Sequence, residues 1–297
     1  MDWGKKGILS SPKMIITEAT MEHRIFDAHA HYFDRRFSSE YEGGADAVLE
    51  KEVFGGPVSH VVNVGTNPTN SLSAIAMAQM YDGLYATVGL HPEDAQFLPG
   101  TVDEEMEILR NILGSESERK EWKIVALGEI GLDYHLGRDG SFVPDKALQA
   151  EYFERQLCLA EELGLPVVIH DRDAHGDCFE AVLRHPKVKG VFHSYSGSAE
   201  MAAELIRRGW YISFSGVVTF HNAKRVREVV ETIPMEAMLI ETDAPYLAPH
   251  PHRGTLNHSG RMTYTAAAIA AVKGISAEEV IRITAENAAR LYGVTLG

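Results

Sequence analysis

Cysteine is nearly absent from this sequence: Cys158 and Cys178 are its only two, in no spacing that suits a metal-ligand set. That scarcity excludes a disulfide scaffold, and both are expected as reduced thiols of a cytoplasmic protein. Long apolar runs are missing too. None approaches the roughly 18 residues that a membrane helix needs, and the first twenty residues lack the continuous apolar stretch of a secretory signal. No membrane partner is therefore expected, and nothing calls for an obligate protein partner. Positive charge is also in short supply, with 28 Lys and Arg against 42 Asp and Glu, a formal net charge of −14. Proteins that coat duplex nucleic acid are usually basic, because neutralising phosphates drives that affinity. An extended basic groove is not expected. Any nucleic acid handled here is held at few phosphates, with bound metal ions adding local positive charge.

What is present is a 297-residue chain, 45% hydrophobic, with fourteen histidines. From Arg24 onward, short apolar β-rich runs alternate with longer helical patterns, the mark of βα units. Eight such runs are predicted as strands: Arg24–Ala28, His60–Val64, Leu84–Gly89, Ile124–Gly128, Val167–Ile169, Gly190–Phe192, Trp210–Phe214 and Ala237–Ile240. Phe153, Leu157, Ala160 and Leu163 recur at helical spacing, and Gly164 with Pro166 ends that helix. Thr101 with Glu104, and Ser276 with Glu279, predict capping boxes. There is no internal repeat, low-complexity tract or linker. The expected organisation is a loose extension over residues 1–20 and one domain over 21–297. Eight alternating strands and helices fit a single (β/α)8 TIM barrel better than a doubly wound sheet.

Barrel enzymes keep their chemistry at the C-terminal ends of the strands. There the sequence places His29 and His31, Glu129, His170, His193 and Asp243. His29 and His31 are two apart, so a strand can turn both to one face. An HxH pair alone is a weak signal, and a lone strand-end histidine is more often structural. Six such groups at one barrel mouth without a cation would leave costly unpaired polar atoms. They are too many for one four-coordinate site. Two divalent cations are expected, with Glu129, between the histidine groups, as the bridge. Mixed nitrogen and oxygen donors suit zinc, manganese or iron, and Mg²⁺ more often takes oxygen and water, so the identity of the metal, with Mg²⁺, Mn²⁺ and Zn²⁺ foremost, stays open.

The ordered motifs DAHAH, GLHPEDA, LGEIGLDY, PVVIHDRDA, FHSYSGS and IETDAPYL make the chain resemble the TatD family of metal-dependent deoxyribonucleases, among the amidohydrolase-type barrels. The resemblance runs from about Arg24 to Tyr292. It implies a barrel, two divalent cations and hydrolysis of DNA, often from the 3′ end, and carries metal ligation onto the same six residues. In many amidohydrolase barrels the strand-four bridge is a carboxylated lysine; Glu129 in that place favours the nuclease-like branch. One departure stands after strand eight. Where the family shows an RGKRNEP-like run, this chain has Arg253-Gly254-Thr255-Leu256-Asn257-His258-Ser259, with Leu256 at a basic position and His258 at the acidic one.

Asp243 and Glu129 are the expected catalytic carboxylates, Asp243 taking the proton of the attacking water. His91, Arg172 and Arg253 are the expected contacts to phosphate oxygens. Glu241 shares parity with Asp243, and its role is open. His193-Ser194 lacks the GxSxG elbow of a serine nucleophile. The leading expectation is a 3′–5′ exodeoxyribonuclease acting on single-stranded or frayed DNA. A deacylase acting on aminoacyl-tRNA and a non-catalytic, metal-stabilised binding module are the alternatives.

Overall fold

The computed structural model describes residues 24–137 and 143–296; the extension expected over 1–20 lies outside the described residues. Eight strands form: β1 (Ile25–Ala30), β2 (Val58–Val64), β3 (Leu84–Val88), β4 (Ile124–Asp133), β5 (Val167–Arg172), β6 (Gly190–Phe192), β7 (Tyr211–Phe214) and β8 (Met238–Ile240). Each lies parallel to the next in chain order. The ring comes round where β1 meets the segment just past β8. There the Asp243 N–H donates to the His29 carbonyl at 2.9 Å, the His31 N–H donates to that of Ala244 at 2.7 Å, and Ala30 bridges Ala244. The sheet is a nearly closed (β/α)8 barrel.

All eight predicted strands are present, but two run well past their predicted ends. β4 continues to Asp133 and β5 to Arg172, where residues 131–133 pair with 170–172. The apolar pattern stops at the functional residues; the hydrogen-bonded ladder does not. Polarity hid the strand.

Phe26, Ala28, Val62, Val64, Ala126, Val168, Val191 and Leu239 come from six strands and touch one another, so they fill the barrel interior. Strict alternation from Phe26 and Ala28 would turn His29 and His31 outward, and from Ala126 would do the same to Glu129. Both strands break register just there, β1 between Asp27 and Ala30, β4 between Leu127 and Ile130. An irregularity of this kind re-aims side chains. Here it turns three functional groups inward. Gly89 allows the close approach of β3 to β4, since a side chain there would collide with the Gly128–Glu129 backbone.

The helices follow their signals. Thr101 and Glu104 form a complete capping box at helix Val102–Leu113. Helix Lys146–Leu163 ends at Gly164 with φ of 65°, a left-handed cap that glycine adopts without steric cost. Ser276 accepts from the Glu279 N–H and so makes one half of its expected box. Helix Ala277–Tyr292 packs Ala285, Ala288 and Tyr292 onto the interior cluster. No helix among the described residues is long and apolar enough to cross a membrane.

Asp27 holds the β1–β8 seam. Its carboxylate is fully buried and accepts from the His29 N–H (3.2 Å), the Thr242 N–H (3.0 Å) and the Thr242 and Ser259 hydroxyls (both 2.6 Å). Burial pushes it up to about 7, against the pull of those four donors. Since the unfolded carboxyl titrates near 3.8, the folded state binds a proton that the unfolded state has lost between about pH 4 and 7. Stability from this group is full below that window and falls as pH rises through it, by about 1.4 kcal/mol per unit. Urea unfolding of metal-free Asp27→Asn is expected to lack that slope. Asp27→Ala leaves the donors unpaired, and at about 1–3 kcal/mol each should cost roughly 3 kcal/mol or more. An Asp27→Ala midpoint equal to wild type would show that the seam does not depend on this carboxylate.

Candidate functional site

The six expected ligand residues meet at the C-terminal mouth. The Nε2 atoms of His29 and His31 lie 3.0 Å apart. Asp243 Oδ1 is 3.7 Å from the first and 3.4 Å from the second. Glu129 Oε2 faces the same pair, at 3.4 and 3.6 Å. Its other oxygen, Oε1, faces His170 Nδ1 at 2.8 Å and His193 Nε2 at 2.9 Å. One buried carboxylate thus looks two ways.

The outer partners of the imidazoles decide which nitrogen turns a lone pair into the site. His31 Nδ1–H donates to the Val64 carbonyl at 2.7 Å, which leaves the Nε2 lone pair facing the site. His170 Nε2–H donates to Asp133 Oδ2 at 2.9 Å and leaves Nδ1 facing inward. His193 Nδ1–H donates to Glu241 Oε1 at 3.2 Å and leaves Nε2 inward. Such outer bonds set the tautomer of metal-binding histidines. His91 is set the opposite way. Its Nδ1 accepts from the Glu93 N–H at 3.1 Å, so in the neutral ring Nε2 carries the hydrogen, 3.4 Å from Glu129 Oε1. His91 is built to donate.

The electrostatics tell the same story. Burial alone would raise Glu129, but His193, His91, His29 and the His170 hydrogen bond outweigh it and hold the carboxyl well below the usual range. Burial likewise opposes ionisation of Asp243, yet the His31 hydrogen bond and the nearby histidines keep it low. Burial would lower His170, but Asp133 and Glu129 push it up to about 9. Burial pulls His29 down, and its buried Nδ1 has no partner. Lone pairs and ionised oxygens converge within hydrogen-bond distance, an arrangement that either protons or cations must neutralise. The donor set of imidazole nitrogen and carboxylate oxygen fits divalent cations.

Of the expected substrate contacts, Arg172 is half exposed and sits 3.8 Å from Asp133 Oδ2, the oxygen that orients His170. Arg253 is exposed and stacks on Phe220, its guanidinium carbon 4.6 Å from the ring centroid. It shares no described contact with the histidine cluster. In the divergent run, Asn257 is buried and donates to the Thr242 carbonyl beside Asp243, while Leu256 packs against the core. Asp133 and Asp27 were quoted in motifs but given no role; a second carboxylate close to each ligand pair was the available signal. Glu241, whose role was open, accepts from His193 and from the Ser194 N–H.

Residues 26–293 match the family model described as TatD related DNase. The chain is 38% identical over 272 residues to the uncharacterized metal-dependent hydrolase YabD of Bacillus subtilis, covering 91% of this chain and 99% of that protein. It is 34% identical to the uncharacterized metal-dependent hydrolase YcfH of Escherichia coli, covering 91% and 96%. The crystal structure of the TatD homologue YjjV of Escherichia coli superposes with a TM-score of 0.79 at 30% identity, over 92% of this chain and 99% of that one. An uncharacterized amidohydrolase of Saccharomyces cerevisiae, at 21% identity and a TM-score of 0.76, shares the fold. With a family model matched over residues 26–293 and relatives covered along nearly their whole length, the chain belongs to the TatD family of metal-dependent hydrolases.

Proposed function

We propose that this protein is a cytoplasmic exodeoxyribonuclease that hydrolyses phosphodiester bonds at the 3′ end of single-stranded or frayed DNA. His29, His31 and Asp243 would hold one divalent cation, His170 and His193 a second, with Glu129 shared. The observation that carries this reading is the two-faced Glu129, one oxygen toward each histidine pair. Bound there, Mg²⁺, Mn²⁺ or Zn²⁺ would supply Lewis acidity toward water and a phosphoryl oxygen.

The chain's own groups do the rest. Asp243 stays ionised with its side chain still 17% exposed, so it can accept the proton of the attacking water. His91 Nε2–H donates to a non-bridging phosphate oxygen, and Arg172 reaches the same phosphate from the rim of the mouth. Asp133 and Glu241 keep His170 and His193 in the ligating tautomer.

The test is digestion of 3′- and 5′-labelled DNA and RNA oligonucleotides, with aminoacyl esters beside them, under Mg²⁺, Mn²⁺ and Zn²⁺. Release of mononucleotides from the 3′ end of single strands supports the proposal; turnover of aminoacyl esters alone supports a deacylase and overturns it. Because the chain is acidic, two or three phosphate contacts are expected. Single-strand affinity should then fall with a log–log salt slope of roughly −1.4 to −2.1, about −0.7 per contact. Arg172→Ala should keep its metal and make the slope shallower by about 0.7. A slope near −6 would reveal an extended groove instead.

A further inference from the structure

We propose that Glu154, Cys158 and His185 form a separate site for a thiophilic divalent cation, Zn²⁺ above all, on the barrel face opposite the histidine mouth. One donor atom from each lies within 4.8 Å of the others. Glu154 and Cys158 are one turn apart on helix Lys146–Leu163, so they project from the same side. His185 stands directly after helix His175–Arg184 and reaches across to them. The first helix starts beyond the C-terminal end of β4 and runs back toward the start of β5, and His185 precedes β6. Cys158 and His185 thus sit toward the N-terminal ends of the strands, away from Glu129.

The surroundings are organised as an outer shell. His185 is buried, and its Nε2 lies 2.9 Å from Glu154 Oε1. Its Nδ1 faces Glu161 Oε2 at 3.5 Å, the partner that would hold the Nε2 lone pair toward an ion. Glu154 is oriented through its other oxygen by Arg184 at 2.7 Å, and Glu161 by Lys187 at 3.0 Å. The Cys158 thiol is raised by burial and by the charges of Glu154 and Glu161, though Arg155 pulls the other way. An entering cation displaces the thiol proton to solvent. Sulfur, imidazole and carboxylate donors together select zinc over Mg²⁺ or Ca²⁺, with solvent at the exposed cysteine as the fourth ligand. In sequence the cysteine and the histidine are too far apart to show a ligand spacing; only the packing of two neighbouring helices joins them. The bound ion would tie those helices together.

The test does not depend on nuclease activity. Full-length protein is titrated with Co²⁺ and its near-ultraviolet spectrum is followed. A thiolate-to-cobalt charge-transfer band is expected in wild type and absent in Cys158→Ser, while the d–d bands of the sulfur-free histidine mouth persist in both. Zn²⁺ should protect the exposed Cys158 from Ellman's reagent, with Cys178 buried and silent. Glu161→Gln should weaken that protection by about 10–100-fold in Zn²⁺ concentration, the usual effect of losing an outer partner. Absence of the band in wild type, or its survival in Cys158→Ser, overturns the proposal, as does a thiol rate that Zn²⁺ leaves unchanged.

Discussion

Asp243→Asn is expected to lose about 10²–10⁴-fold in kcat, the worth of a positioned base, while keeping most of its metal. The substitution preserves size and one oxygen and removes the negative charge and most of the proton affinity. It also suits the backbone. Asp243 has φ of 55°, a left-handed conformation that asparagine tolerates as well as aspartate does. Asp243 lies close enough to His29 and His31 to be a ligand as well as a base, and the experiment separates the roles by measuring kcat and bound metal together on a 3′-labelled single strand. A chiefly ligating Asp243 would instead lower occupancy, and excess cation would restore much of the rate. His193→Ala is the control for that behaviour, with reduced metal affinity and partial rescue. Near-wild-type kcat at full occupancy would refute the assignment. The base would then be sought in Glu241, whose Oε1 accepts from Ser194 and His193 while its buried Oε2 has no partner, before His91, whose Nδ1 accepts from the Glu93 N–H.

Much of this was legible in the sequence, and the exceptions share a cause. Eight apolar runs between helical patterns suffice for a barrel, because the period of burial is written in every strand. The strand-end rule gathered His29, His31, Glu129, His170, His193 and Asp243 without any contact being known. These residues do converge, for a reason that rule did not contain. Simple alternation would have turned His29, His31 and Glu129 outward, and only the register breaks in β1 and β4 bring them in. Asp133 and Asp27 escaped because an aspartate carries no local mark of its partner: Asp133 meets His170 37 residues on, and Asp27 meets Thr242 215 residues on. Arg253 shows what the sequence leaves out in the other direction. A basic residue in a family motif reads as a phosphate contact, while its packing on Phe220 depends on a loop that has no periodicity.

Glu129→Gln should do more damage than any other single change at the mouth. The carboxylate is the common neighbour of His29, His31, His91, His170 and His193. Glutamine keeps the shape but offers one oxygen and one NH₂ group. Whichever way the amide turns, its N–H bonds point at one pair of inward lone pairs and occupy the space that pair keeps for a cation. Metal content is therefore expected to fall below two ions per chain, with affinity lost by more than the roughly 10–100-fold that outer partners are worth. Excess cation should not restore the rate, because the amide cannot serve both sides at once. That irreversibility distinguishes a shared ligand from a one-sided one: His193→Ala, which strips a single side, should respond to added metal. Equilibrium dialysis against Mn²⁺ and Zn²⁺, paired with kcat on the labelled strand, makes the comparison. Two ions per chain and a rescuable rate in Glu129→Gln would mean that the two histidine pairs are independent and that Glu129 bridges nothing.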